Sequence, residues 1–288
     1  MRPGPSRTAR SESKGRCQIT PNSEKWRARY GPWGVVTGAS RGIGYAFASR
    51  LAAAGLHLVL VGRNHSLLAK AADELSSRHG VNTLVVRADL AEPDGPALVR
   101  ERTVDVDVGL VVLSAGDGCE GEFSEHALDD ERRVVRLNVL ATLDLSHVFA
   151  GRLQKRGCGG LIIVSSLLAY QGSPYAANYA ATKAYGLVLG ESLHFELQPH
   201  GVDVLALAPG PTTTGAAQRV DRRRFLNSQW CTPTHVVDTA LGALGRRASA
   251  VPGAVNNLML WAGGLPAREA RSHMIGRIAK ELTGNPGT

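Results

Sequence analysis

Tyr179 and Lys183 stand four residues apart in a stretch whose composition predicts a helix. That spacing places a phenol and an ammonium group on one helix face. A free tyrosine, with a pKa of about 10, is a poor acid or base at neutral pH, whereas a nearby cation lowers that pKa as proton exchange with a substrate requires. The pair alone is also an ordinary surface arrangement. Ser166 adds a third polar group, because it ends a predicted strand, where ligands of parallel sheets bind.

A glycine-rich loop separates an apolar run, Trp33–Thr37, from a helical stretch that begins near Tyr45. Glycines at such a junction allow a tight turn and a close approach of the backbone to a pyrophosphate, and the helix N-terminus offers unpaired N–H groups to the phosphates. The loop therefore predicts dinucleotide binding. Its candidate contacts are Thr37, Gly38, Ser40, Arg41, Gly42, Ile43 and Gly44.

The end of the second predicted strand distinguishes the two nicotinamide dinucleotides. A site for NAD places an acidic residue there to bind the ribose 2′-hydroxyl, whereas this chain has Arg63. A guanidinium pairs well with a 2′-phosphate, and Arg41 is a second cation within reach, so NADP(H) is favoured over NAD(H). A solvated turn arginine is the alternative. Asp89, followed by Leu90, is a candidate acceptor for the adenine amino group, or else a helix cap.

The elements that position these groups alternate along the chain. Short β-branched runs separated by helical stretches predict an α/β fold, a single Rossmann-type domain with a doubly wound parallel sheet of six to seven strands and helices on both faces. Strands are expected at 33–37, 57–61, 83–86, 109–113, 161–164 and 202–206, with 257–261 as a candidate seventh. Helices are expected at 45–54, 66–79, 129–156 and 179–198.

With these motifs the chain resembles the short-chain dehydrogenase/reductase family over about residues 32–265. The glycine loop matches TGxxxGxG, Tyr179 and Lys183 match YxxxK, and Ser166 has the spacing of the catalytic serine. The resemblance implies that Asn138 is the helix asparagine that relays protons through water. It also implies a set of residues that line the cofactor, namely Ala115, Gly116, Pro209, Gly210, Thr212 and Thr214. Ser114 departs from the family, which usually has asparagine there, so we expect some loss of rigidity.

The resemblance implies an NADP(H)-dependent oxidoreductase that interconverts a carbonyl and a secondary alcohol by hydride transfer. Tyr179 would exchange the proton, Ser166 would hydrogen-bond the developing alkoxide, and Lys183 would lower the pKa of Tyr179 and hold the nicotinamide ribose. The alternative is a non-catalytic NADP(H)-binding redox sensor on the same fold.

The entry sequence Arg29–Trp33 is similar to that of 17β-hydroxysteroid dehydrogenases and 3-ketoacyl-CoA reductases. This similarity implies a lipophilic, steroid- or acyl-like substrate. In the family, the helices expected here at 129–156 and 179–198 build the interface of a homodimer or homotetramer, and we expect one here.

The charge of the chain is unevenly distributed. Of the formal net charge of +8, residues 1–31 carry +6 and the remainder +2. We expect residues 1–31 to be a disordered basic leader, 32–265 to be the catalytic domain, and 266–288 to hold an amphipathic helix able to contact an anionic membrane, followed by a tail. The near-neutral body argues against a nucleic-acid partner. No run approaches 18 apolar residues, so no transmembrane segment is predicted.

The four cysteines, Cys17, Cys119, Cys158 and Cys231, are widely spaced, with no C-x-x-C pair and no neighbouring histidine at metal spacing. The pattern predicts free thiols in a reducing compartment, hence a cytoplasmic protein, and no metal site. The segment 215–233 is expected to fold over the substrate as a lid.

Overall fold

The computed structural model describes residues 24–213 and 231–263. Within these residues a sheet of seven parallel strands forms in the order β3-β2-β1-β4-β5-β6-β7. The strands are β1 (Trp33–Thr37), β2 (His57–Gly62), β3 (Thr83–Arg87), β4 (Val108–Leu113), β5 (Gly159–Val164), β6 (Val202–Leu207) and β7 (Ser249–Ala250). The predicted Rossmann-type sheet is confirmed, and six strands lie where the apolar runs placed them.

Nine helices surround the sheet in the described part of the chain. They are α1 (Glu24–Tyr30), α2 (Gly42–Ala53), α3 (His65–His79), α4 (Gly95–Arg102), α5 (Leu128–Val135), α6 (Ala141–Arg156), α7 (Ala177–Leu197), α8 (Pro233–Ala243) and α9 (Ala254–Gly263). Successive residues of each strand point to opposite faces of the sheet, so the strands contribute to two separate hydrophobic cores. One core includes Phe47, Leu68 and Val236 from α2, α3 and α8. The other includes Phe149 and Leu197 from α6 and α7.

The seventh strand is not the one that the sequence suggested. The apolar run at 257–261 lies inside helix α9, and the edge strand β7 is a two-residue segment that pairs with Ala206 and Leu207. Periodicity alone does not separate a short apolar run in a strand from one in a buried helix, which explains the error.

The boundary predicted for the disordered leader, residues 1–31, lies too late in the chain. Residues 24–30 form helix α1, which is anchored to the body rather than solvated. The buried phenol of Tyr30 donates a hydrogen bond of 2.6 Å to Asp203 on β6, and Arg29 forms a 2.6 Å ion pair with the same carboxylate. From α6, Arg156 donates to the carbonyls of Arg29 and Gly31. Residues 1–23, the basic tail 266–288 and most of the expected lid, residues 215–230, lie outside the described residues.

The helix expected at 129–156 is present, but it contains a π-helical turn. Residues Arg136–Leu140 form this π segment between α5 and α6. By length and composition alone, Leu128–Arg156 is the one candidate membrane span in the part of the chain that the structure describes. Its residues Leu145, Phe149 and Leu153 are fully buried against the sheet. The helix therefore belongs to the protein core by its contacts.

Candidate active site

The glycine-rich loop joins β1 to α2 where the strand order reverses, between β1 and β4. Gly38 and Gly42 have φ of +67° and +61°, a conformation that favours glycine. A Cβ on Gly44 would collide with the carbonyl oxygen of Gly38. Arg41, at the N-cap of α2, forms no side-chain cap. The N-terminus of α2 is thus open to an anion, and the loop fits a pyrophosphate.

Thr37 connects the loop to the segment that follows β4. Its buried Oγ1 accepts hydrogen bonds of 3.0 Å from the amides of both Ser114 and Ala115. The sequence predicted a loss of rigidity because Ser114 replaces an asparagine. Thr37 fixes the backbone of this segment through these two hydrogen bonds, and a Cβ on Gly38 would lie only 3.1 Å from Ala115. The loss of rigidity expected from Ser114 stays a prediction.

Ser166, Tyr179 and Lys183 come together beyond the end of β5, as the sequence predicted. Ser166, two residues beyond β5, lies beside the phenol of Tyr179. Lys183 is 7% exposed, lies with Nζ 5.7 Å from the centre of the Tyr179 ring, and donates a 3.0 Å hydrogen bond to the carbonyl of Val164. Ser165 donates to the carbonyl of Lys183 at 2.6 Å. Two hydrogen bonds therefore fix α7 to the end of β5.

The electrostatics of this group differ from the expectation. Burial raises the pKa of Tyr179, and the neighbouring Ser166 hydroxyl only partly opposes this increase. Burial also lowers the pKa of Lys183 to about 8. The prediction of a depressed tyrosine pKa is thus wrong for the protein as the structure describes it, because loss of solvation outweighs the effect of neighbouring groups.

Asn138 lies in the π segment and spans two elements. Its Nδ2 donates to the carbonyl of Asp117 at 2.8 Å and to Oγ1 of Thr182 at 2.9 Å, while its Oδ1 accepts from the amide of Asp117 at 3.2 Å. These bonds join the segment after β4 to α7, and one lone pair of Oδ1 remains for a water. π-Helical turns are frequent at functional sites.

Arg63 and Asp89 lie near each other at the far side of the glycine loop. Arg63 is half exposed, and its nearest anion is Asp117 at 4.0 Å. Asp89 accepts from the amide of Ala91 and forms a 2.7 Å ion pair with Arg133. Although burial works to raise the pKa of Asp89, these contacts and the charge of Arg63 hold it below its usual value. Asp89 is therefore not a helix cap, because the N-cap of α4 is Asp94, and its carboxylate is held by a local backbone amide and an arginine.

The remaining predicted contacts lie on two further strand ends or outside the described residues. Leu90 is buried after β3, and Gly116 is so close to Lys183 that a Cβ would lie 2.8 Å from Nζ. Pro209 follows β6 and accepts a hydrogen bond from Leu167, and Thr212 donates to the carbonyl of Gly210. Ser40, Arg41 and Ile43 lie in the glycine loop. Thr214 lies outside the described residues.

Sequence reasoning missed the loop that faces Tyr179. A Cβ on Gly118 would lie 2.6 Å from Cδ2 of the tyrosine ring. Gly121 donates to the carbonyl of Tyr175, a non-glycine residue with φ of +63°. Two glycines soon after the fourth strand, Gly116 and Gly118, could have indicated that the backbone there approaches other groups closely. Of these two, only Gly116 was predicted from the sequence, as a cofactor contact.

The parallel sheet and the glycine loop at its switch point define a dinucleotide-binding protein of the Rossmann class. The family described as short chain dehydrogenase matches residues 33–224. The chain is 31% identical over 238 residues to the 7β-hydroxysteroid dehydrogenase of Collinsella aerofaciens, covering 80% of this chain and 89% of that protein. It is 34% identical to the very-long-chain 3-oxoacyl-CoA reductase of Podospora anserina, covering 78% of this chain and 66% of that protein.

Among solved structures, the chain is similar to the short-chain dehydrogenase from Sphingobium yanoikuyae in complex with NADPH. The TM-score is 0.73 at 30% identity, covering 85% of this chain and 94% of the other. This chain belongs to the short-chain dehydrogenase/reductase family. It is therefore an oxidoreductase of the alcohol–carbonyl type that uses a nicotinamide cofactor and a small-molecule substrate, with relatives among hydroxysteroid dehydrogenases and 3-oxoacyl-CoA reductases.

Proposed function

We propose that the chain is an NADP(H)-dependent dehydrogenase/reductase that interconverts a lipophilic ketone and its secondary alcohol, with Tyr179 as the acid and base. The observation that carries this proposal is the convergence of Tyr179, Ser166 and Lys183 at the carboxyl edge of the sheet, with Lys183 buried beside the tyrosine ring. A redox sensor without turnover would have no use for this group.

The bound nicotinamide supplies a hydride to the carbonyl carbon in reduction and accepts one in oxidation. Tyr179 gives its phenolic proton to the carbonyl oxygen, and Ser166 donates a hydrogen bond to the same oxygen as its negative charge develops. The elevated pKa of Tyr179 keeps the phenol protonated at neutral pH. Tyr179 therefore starts the reductive direction in the form that the reaction needs.

Two further residues maintain this geometry and recover the proton. Lys183, whose Nζ lies close to Gly116, would hold a ribose hydroxyl of the cofactor, and its lowered pKa makes it a proton donor near neutral pH. Asn138 holds the segment after β4 against α7 and keeps one lone pair for a water. Reprotonation of Tyr179 runs, in this proposal, through Lys183 and that water.

The preference for NADP(H) rests on Arg63, which follows β2 where an acidic residue would bind the 2′-hydroxyl of NAD. Half of its side chain is exposed, and its contact with Asp117, at 4.0 Å, is loose. A bidentate guanidinium–phosphate contact is worth about 1.5–3 kcal/mol. We therefore expect Arg63→Ala to lower kcat/KM for NADPH by about 10- to 100-fold and to leave kcat/KM for NADH nearly unchanged.

The test of the proposal is a spectrophotometric screen of steroid, acyl and sugar carbonyl–alcohol pairs with NADPH and with NADH. Arg78→Ala is the matched control for Arg63→Ala, because Arg78 is an exposed arginine on α3 paired with Glu74. Turnover of a lipophilic ketone with NADPH, reduced by Arg63→Ala alone, supports the proposal. Equal use of NADH by the unmodified protein contradicts the cofactor assignment, and turnover of sugars alone contradicts the substrate class.

We propose, in addition, a cytoplasmic homodimer or homotetramer. Val188 and Phe195 on α7 are 61% and 67% exposed, and Leu140 and Leu143 add apolar surface at the start of α6. Cys119, Cys158 and Cys231 are free thiols, which suits a reducing compartment. Sedimentation of Val188→Glu/Phe195→Glu as a monomer, beside an oligomeric unmodified protein, would support this assembly, and an unchanged oligomer would contradict it.

A further inference from the structure

Three residues with metal-binding side chains meet beside the active site. Cys119 in the loop after β4, His126 before α5 and Glu131 on α5 each contribute one ligand atom, and these atoms lie within 4.8 Å of one another. Nδ1 of His126 lies 2.7 Å from Oε1 of Glu131. Glu131 is 6% exposed, whereas Cys119 and His126 are partly exposed.

The donor set is that of zinc. Thiolate, imidazole and carboxylate are the three ligand types that Zn²⁺ takes from proteins, and three protein ligands with one open position form a common tetrahedral site. Zinc–ligand bonds of about 2.0–2.3 Å place neighbouring ligand atoms about 3.3–3.6 Å apart. The three atoms therefore reach this arrangement by shifts on the order of 1 Å.

The surroundings of the cluster orient its ligands as in a metal site. In the structure Nδ1 of His126 donates to Oε1 of Glu131, and Nε2 lies 3.2 Å from the carbonyl oxygen of Glu120. A metal at Nδ1 would displace the proton there, while a proton on Nε2 would stay hydrogen-bonded to Glu120. Oε2 of Glu131 accepts a 2.5 Å hydrogen bond from Asn178, which leaves Oε1 for the metal. Histidine ligands of metals almost always donate their second ring N–H in this manner. A surface cavity lined in part by Phe123 and Leu128 borders Glu131, and Cys119 and His126 are themselves partly exposed.

The cluster contacts both elements that hold Tyr179. Cys119 directly follows Gly118, whose backbone packs against the Tyr179 ring. Asn178 directly precedes Tyr179 and donates to both the carbonyl and the carboxylate of Glu131. A shift of either element changes the position of the phenol, because Gly118 leaves no free space beside the ring.

We propose that Cys119, His126 and Glu131 form a Zn²⁺ site, with water as the fourth ligand, and that its occupation slows turnover by displacing Gly118 and Asn178 from their positions at Tyr179. Cys119 binds as the thiolate and releases its proton to solvent, and His126 binds through Nδ1 as the neutral imidazole, with the proton that Nδ1 shared with Glu131 also released to solvent. The existence of the site is independent of the proposed function, and only its effect on turnover rests on it.

No local spacing motif indicates this site in the sequence, and the expectation of no metal site rested on that lack. The three ligands are separated by intervals of seven and five residues across a loop and a helix start. Only the fold of that loop, held by Gly121 and Tyr175, brings the thiol to the imidazole.

The experiment uses the full chain, freed of metal with a chelator, and titrates Zn²⁺ against a chromophoric chelator. Cys119→Ser and His126→Gln remove one ligand each and leave the bond between Asn178 and Glu131 in place. Cys158→Ser and His147→Gln are the matched controls outside the cluster. We expect one Zn²⁺ per chain, weakened at least tenfold in both ligand variants and unchanged in both controls.

Co²⁺ provides a second readout, independent of activity. A thiolate-to-cobalt absorption band that is present in the unmodified protein and absent in Cys119→Ser identifies Cys119 as a ligand. Equal zinc affinity in the unmodified protein and in Cys119→Ser, or no cobalt–thiolate band, would overturn the site. Loss of turnover on adding Zn²⁺, absent in Cys119→Ser, supports the coupling, and bound zinc without such a loss would overturn it. If the protein turned over no carbonyl at all, the titration and the cobalt spectrum would still decide the site.

Discussion

Replacement of Lys183 by methionine should stabilise the protein at neutral pH while destroying its activity. Lys183 is almost fully buried, and burial lowers its pKa from 10.5 to about 8. That decrease means that, below pH 8, the buried charge of the ammonium lowers the stability of the folded protein by about 3 kcal/mol. Methionine has a similar length and no charge, so Lys183→Met removes this penalty.

The gain is partly offset by a lost hydrogen bond. Nζ of Lys183 donates to the carbonyl of Val164 at 3.0 Å, and an unpaired buried carbonyl costs about 1 kcal/mol. The variant should therefore be more stable than the unmodified protein by about 2 kcal/mol at pH 7. Because the unfolded chain binds more protons than the folded one between pH 8 and 10.5, the stability of the unmodified protein rises through this window relative to the variant. Near pH 10.5 the order reverses, with the variant about 1 kcal/mol less stable.

The assay is urea unfolding of both proteins at pH 7, 8.5 and 10, with the exposed Lys70 on α3 replaced by methionine as a control. Lys70→Met should change the free energy of unfolding by less than about 0.5 kcal/mol. A destabilised Lys183→Met at pH 7, or a difference from the unmodified protein that does not change with pH, would refute the burial argument.

Two further substitutions test other contacts. Gly118→Ala places a Cβ 2.6 Å from the Tyr179 ring and should lower kcat at least tenfold with little change in thermal stability. Gly151→Ala is the control, because a Cβ there meets nothing within 4 Å, and it should leave kcat unchanged. Equal kcat values in both variants would contradict the packing of Gly118 on the ring. Arg152→Met removes hydrogen bonds of 2.6 and 2.8 Å to the carbonyls of Thr103 and Val106 and should lower the free energy of unfolding, measured in urea, by about 2–3 kcal/mol. A decrease below about 0.5 kcal/mol would show that these carbonyls find other hydrogen-bond donors.

The parts of the fold that follow from local pattern could be predicted. Strands such as Gly159–Val164 are apolar throughout because both faces of the sheet are covered, and the run is visible in the sequence. The short polar helix α4, Gly95–Arg102, has little apolar signal and was missed. Helix α1 escaped prediction because its anchor, Asp203, is 173 residues from Tyr30.

The candidate site divides in the same way. Tyr179, Lys183 and the glycine loop are local motifs, and the structure places them together at the sheet edge. The ion pair between Asp89 and Arg133 and the packing of Gly118 on the tyrosine ring join segments far apart in the chain. The raised pKa of Tyr179 also depends on burial, which only the folded structure supplies.

The central claim is that Tyr179 exchanges the substrate proton while other groups bind the cofactor. Its most direct test is Tyr179→Phe, which removes the phenolic oxygen and little else, measured for both kcat and the Kd of NADPH. We predict that kcat falls by about 10²- to 10⁴-fold while the Kd of NADPH changes by less than about threefold. A variant that retains the kcat of the unmodified protein would contradict the claim, as would one whose loss of activity is explained by lost NADPH binding.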